Sequence, residues 1–124
     1  MKSDKGCLRW AHGENYTKGQ KPGARYSHSM TLFERENALL ICGGRNDRLK
    51  MVYSDLYMLT LDTLLWIKID IVGDGMIGRA EHQIISADSN NDFVILGGMD
   101  KGYQLSNKIT FLTFDKDQIE YYQR

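Results

Sequence analysis

The sequence of 124 residues predicts an all-β protein built from two copies of one four-stranded antiparallel unit. Three observations carry that reading. Separated landmarks recur at a fixed offset, short apolar runs alternate with turn-like segments, and glycine is frequent (12) while proline occurs once, as Pro22.

The repeat is the strongest of the three. Lys18 to His28 aligns with Val72 to His82, so that Gly19, Arg25 and His28 fall on Gly73, Arg79 and His82 at a single offset of 54. The same offset carries Ile41-Cys42-Gly43-Gly44, which follow Leu40, onto Ile95-Leu96-Gly97-Gly98. Tyr57 to Asp62 resembles Thr110 to Asp115 at an offset of 53. One register held over four landmarks marks a tandem architecture.

Within the first copy the predicted strands are residues 29–33, 38–42, 55–61 and 65–71. Each is rich in β-branched, aromatic and aliphatic residues, and residues 34–37, 43–50 and 62–63 between them are turn-like. Connections this short leave no room for crossover helices, so neighbouring strands are antiparallel. The second copy repeats the scheme at 83–87, 93–96, 108–114 and 118–122. One more strand-like piece, Cys7-Leu8-Arg9-Trp10, precedes the first copy, and its Trp10 stands before Gly19 much as Trp66 stands before Gly73.

An Arg-x-x-His, an apolar strand closing in Gly-Gly, then Ser54-Asp55-Leu56-Tyr57 with Asp62-Thr63, then Trp66: this order resembles the Kelch repeat, from about Trp10 to Tyr122. The resemblance implies a partial β-propeller spanning 1–124, with residues 7–10 as the last strand of a preceding blade, 25–72 as a first blade and 79–123 as a second. The second copy departs from the pattern, because Asn107-Lys108 replaces Asp55-Leu56, and Ile119 or Tyr121 stands where Trp66 would recur.

The residues agree with that implication. A blade held between two neighbours is buried on both faces, and its inner strands then read as unbroken apolar runs such as residues 39–42 and 93–96. The paired glycines Gly43-Gly44 and Gly97-Gly98 permit backbone angles and approaches that a Cβ forbids. Arg25 and Arg79 present planar forks to carbonyls or a carboxylate. Trp66 offers a broad apolar face for packing between blades. For these positions, with His28 and His82, a structural role outweighs a functional one.

Sixteen basic and sixteen acidic side chains cancel, which argues against a nucleic-acid module. No apolar run is long enough to span a bilayer, and Lys2 to Lys5 does not open a secretory signal, so a cytoplasmic location without membrane contact is expected. Asn15-Tyr16-Thr17 matches a glycosylation pattern that such a location leaves unused. Cys7 and Cys42 are too few for a disulfide scaffold, and Cys42 reads as a small buried hydrophobe. Gly73-Asp74-Gly75-Met76-Ile77-Gly78 spells a dinucleotide fingerprint, but it lies in the register of Gly19 to Ala24 and lacks the strand–helix–strand context such a site requires. His12, His28 and His82 have no second ligand at close spacing, so no metal, cofactor or catalytic residue is implied.

In a four-stranded antiparallel blade, the loop after the second strand and the link to the next blade share one rim. Arg45-Asn46-Asp47-Arg48-Leu49-Lys50 and Met99 to Gln104 occupy it, and Lys18 and Lys21 are expected to join them. Arg45, Asn46, Arg48, Lys50, Lys101 and Tyr103 are therefore the candidate binding residues, suited to an acidic protein surface or peptide. The expected function is a non-catalytic protein–protein interaction scaffold or adaptor. The alternative is a fragment of a Kelch-like propeller enzyme, of galactose-oxidase or specifier type, whose copper chemistry needs His and Tyr ligands that this sequence does not assemble. Closed propellers have four or more blades, so self-association or a longer parent chain is expected to close the ring.

Overall fold

A computed structural model describes residues 6–71, 78–87 and 91–114. Ten strands run in the order β1 (Lys18–Gly19), β2 (Ser29–Phe33), β3 (Ala38–Cys42), β4 (Arg45–Asn46), β5 (Met51–Val52), β6 (Leu56–Thr60), β7 (Leu65–Ile69), β8 (Gln83–Ser86), β9 (Asp92–Leu96) and β10 (Ile109–Thr113). The helical content among the described residues is two single 3-10 turns, Gly13–Asn15 and Glu34–Glu36.

The first blade is the antiparallel series β2-β3-β6-β7, with β1 lying parallel along its outer edge against Leu65 and Trp66. Its inner strands fall at the residues the apolar runs predict. The Glu34–Glu36 turn closes on Asn37 at φ 46°, a left-handed position that asparagine tolerates, and the Asn37 amide donates to Asp62 at 2.8 Å. The second blade shows β8-β9-β10, also antiparallel. Its expected fourth strand, 118–122, lies outside the described residues, as does most of the Gly73–Gly78 fingerprint. At Gly78 itself no helix begins; the chain runs without regular structure to a bridge at Ala80.

Two expectations change. Cys7 to Trp10 forms no strand, and Trp10 is wholly exposed, because no strand of a preceding blade lies beside it among the described residues. Trp66 does not pack between the two blades. It shares a rung with Leu59, Leu39 and Leu32, and the side chains of that rung point away from the second blade. Alternation along a strand decides this: Ile67 and Ile69 point inward, so Trp66, one residue before Ile67, points the other way.

The two blades meet face to face over one core. Leu40, Met58, Ile67 and Ile69 of the first meet Ile84, Phe93 and Ile95 of the second. At one end Phe33, Phe93 and Phe114 form an aromatic triangle with ring centroids 5.0, 4.9 and 5.6 Å apart, two of the three pairs near edge-to-face. At the other end the paired glycines divide the labour. Gly44 and Gly98 pack against their own blades, where a Cβ would lie 2.9 Å from the Cβ of His28 or His82. Gly43 instead receives the second blade: a Cβ there would lie 2.6 Å from both the Arg79 carbonyl oxygen and Cε1 of His82. Across the same seam Gly44 N–H donates to the Arg79 carbonyl at 2.9 Å and Glu81 N–H to Ser27 at 2.8 Å.

His82 fills the notch at Gly43. It is buried, its Nε2 lies 2.6 Å from the Ser29 hydroxyl, and its Nδ1 has no partner among the described residues. Burial first, and the Arg79 charge second, push its pKa down to about 4. Burial likewise pushes the Cys42 thiol up to about 12, so this cysteine stays protonated as a core side chain.

Two stability predictions rest on this seam. Phe93→Ala is expected to cost about 3–5 kcal/mol in denaturant unfolding, and Trp66→Ala at least about 1 kcal/mol less, because only the former empties a sealed site. Gly43→Ala and Gly97→Ala both place a Cβ at positive φ, +64° and +70°, and share a strain of about 1–2 kcal/mol. Only at Gly43 does the new methyl also meet the other blade, so Gly43→Ala should lower the melting temperature further.

A third concerns pH. The His82 pKa in the fold, about 4, lies below its ordinary 6.5, so the unfolded chain binds the extra proton between those values. The stabilisation from keeping the imidazole neutral is complete above about pH 6.5 and is lost as pH falls towards 4, by at most about 3 kcal/mol. Unfolding measured at pH 7.5 and 5.5 should show this loss in the native protein, and a flatter profile in His82→Gln.

Candidate functional site

The rim that carries the β3–β6 loop, the Arg79 link and the β9–β10 loop is organised by arginines. Arg25 grips Asp55 with both guanidinium nitrogens, at 2.5 and 3.1 Å, donates to the Gly43 carbonyl at 2.9 Å, and lies 3.9 Å above the Tyr53 ring. This planar, bidentate pair fixes the base of the first blade's loop. The second blade lacks the carboxylate. Leu56 pairs with Cys42 and Ile109 with Leu96, so the register sets Lys108, rather than the Asn107 expected from the sequence, where Asp55 stands. Among the described residues Arg79, although buried, therefore makes longer bonds, 3.4 Å to the Gly97 carbonyl and 3.3 Å to the Thr110 hydroxyl.

Above these anchors a cleft of about 380 Å³ opens between the two blades, lined by Arg45, Asp47, Lys50, Met51, Val52, Lys101 and Tyr103. Four of the six residues singled out from the sequence thus converge: Arg45, Lys50, Lys101 and Tyr103. Arg48 is exposed but lies outside the lining. Asn46 is engaged locally, donating to the Ala24 carbonyl at 3.0 Å and accepting from Leu49 N–H at 3.2 Å.

Arg45, expected as a binding residue of the rim, is largely withdrawn from solvent. It is only 7% exposed. Its Nε donates to Asp47 at 2.8 Å, a terminal nitrogen donates to the Tyr103 hydroxyl at 2.8 Å, and the guanidinium lies 4.5 Å from the centre of the Tyr103 ring. The Tyr26 hydroxyl donates to the other Asp47 oxygen. That bond, and next the Arg45 contact, hold the Asp47 carboxyl below its ordinary pKa, while Asp47 raises that of Tyr26. Arg45 is thus a strut that props Tyr103, 64% exposed, over the gap between blades. Lys50 and Lys101 make no ion pair among the described residues and supply the accessible positive charge.

Charge counting missed Asp47, Met51 and Val52, whose place in the cleft follows from the β4–β5 hairpin, with Arg45 opposite Val52. It also put Lys18 on this rim. Lys18 pairs with Leu65 at the start of β7, beside the 61–64 turn, and so belongs to the opposite end. The histidines lie apart: His12 near Glu14 at the surface, His28 exposed, His82 in the seam.

Antiparallel blades stacked face to face, each opened by an Arg-x-x-His link and each ending its inner strand in Gly-Gly, define an open segment of a β-propeller. The chain belongs to the Kelch-repeat family. It matches the KLHDC2/KLHL20/DRC7 Kelch-repeats domain over residues 6–123. It is also similar to acyl-CoA-binding domain-containing protein 5 of Arabidopsis thaliana, 35% identical over 82 residues, and to dynein regulatory complex subunit 7 of Chlamydomonas reinhardtii, 33% identical over 81. Those stretches take in 66% and 65% of this chain but only 12% and 7% of the relatives. Acyl-CoA-binding domain-containing protein 4 of Arabidopsis thaliana is 33% identical over 79 residues, 64% of this chain and 11% of that protein.

Proposed function

We propose that this chain is a non-catalytic, cytoplasmic protein-interaction module whose inter-blade cleft takes an acidic segment of a protein partner. One observation carries the reading. Lys50 and Lys101, from different blades, flank a tyrosine that a buried arginine holds in place. Aromatic anchors held rigidly beside accessible charge are what protein-binding surfaces use, since the anchor loses little entropy on binding and the charge steers encounter. Family membership supports the reading, and the algal relative is by its name a subunit of a complex. Among the described residues, no helix is long and apolar enough to cross a membrane.

Binding of fluorescent acidic peptides, followed by anisotropy, provides the test. Lys50→Glu with Lys101→Glu is expected to weaken binding by about tenfold or more, mainly through slower association, and raised salt should do the same to the native chain. Tyr103→Ala should raise the dissociation rate. The melting temperature of the lysine variant should barely change, because both side chains are exposed. Equal affinity for acidic and neutral peptides, or no loss in the lysine variant, overturns the proposal.

A further inference from the structure

The seam between the two blades joins two different faces. The second blade contributes the rungs Ile84-Ile95-Thr110 and Ser86-Phe93-Leu112. The repeat offset carries those positions onto Met30-Ile41-Tyr57 and Leu32-Leu39-Leu59 of the first blade, the rungs that point away from the seam. Met30 is 55% and Leu32 44% exposed there. The first blade contributes Thr31, Leu40 and Met58, whose counterparts in the second are Ile85, Val94 and Phe111. These point outward too, Ile85 50% and Phe111 73% exposed. The described residues thus display one uncovered copy of each half of an interface that the molecule itself shows to be complementary.

The Gly-Gly and histidine positions repeat the asymmetry. Gly43 is occupied by His82, whereas the equivalent Gly97, at φ +70°, has only the Ser106 carbonyl oxygen within reach, 3.9 Å from where a Cβ would lie. His28, the equivalent of His82, is exposed and buried in no notch. One end offers an empty notch and the other an unused knob.

We propose that copies of this chain pack head to tail, with His28 of one copy seated over Gly97 of the next and Met30 and Leu32 covering Ile85 and Phe111. Gln83, at the position of Ser29, is exposed and offers its amide to the incoming imidazole. The contact is heterologous, so each copy keeps one half of the interface available for a further copy until a ring closes. A second copy is the occupant because the surface required is present on this chain, in the register that the existing seam uses. This packing leaves the Lys50–Lys101 cleft out of the contact and stands apart from the partner proposed for it.

Sedimentation velocity over a range of concentrations tests the packing. The native chain should sediment as a concentration-dependent species larger than one chain. His28→Asp spoils every knob and Phe111→Asp every notch face, so each variant alone should associate at least tenfold more weakly. Mixed in equal amounts, the two should form a capped dimer, since one intact knob then meets one intact notch. Ile85→Lys serves in place of Phe111→Asp if circular dichroism shows that β10 has not formed. A native chain monomeric at every concentration, a variant that associates like the native chain, or a mixture that stays monomeric overturns the proposal.

Discussion

The structure depends on the seating of one blade on the next at Gly43. The absent Cβ admits the His82 ring and the Arg79 carbonyl, and the backbone hydrogen bonds across the seam set the spacing at which the apolar rungs interlock. At the far end the triangle of Phe33, Phe93 and Phe114 fixes the opposite edge of the same contact. A repeat unit of this size cannot bury its apolar faces alone, so the seam accounts for the core. The imidazole at its centre stays neutral because burial and a nearby arginine both oppose its charge, and the packing thereby acquires a dependence on pH.

The rim inherits its geometry from that seam. Arg25, its charge matched by Asp55, anchors the first blade's long loop, and Arg45 bridges from that loop to Tyr103 on the second blade. The cleft exists because two blades are locked at a fixed distance while their loops extend beyond the sheet. In the second blade Lys108 stands where Asp55 stands in the first, and the bonds of Arg79 lengthen accordingly. A single change in charge at a repeat position therefore distinguishes two blades that otherwise share a design.

By itself the sequence determined the class of fold, the repeat and the positions of the inner strands. Strands β2 and β3 lie at residues 29–33 and 38–42 as the apolar runs predict, because turn residues on either side leave such a run no other local structure. Four of the six rim residues were legible as well, since antiparallel topology alone assigns alternate loops to one end. Tertiary structure decided the rest. Which face Trp66 occupies depends on the strand's pleat relative to its neighbour, and a repeat position does not state that direction. Whether Arg45 is a solvated charge or a buried strut depends on Tyr103, 58 residues away in the sequence. His28 and His82 hold one repeat position, yet only His82 meets a neighbouring blade and loses its contact with water. Burial is a property of the assembled faces, and identical local patterns acquire different environments when only one of them is covered.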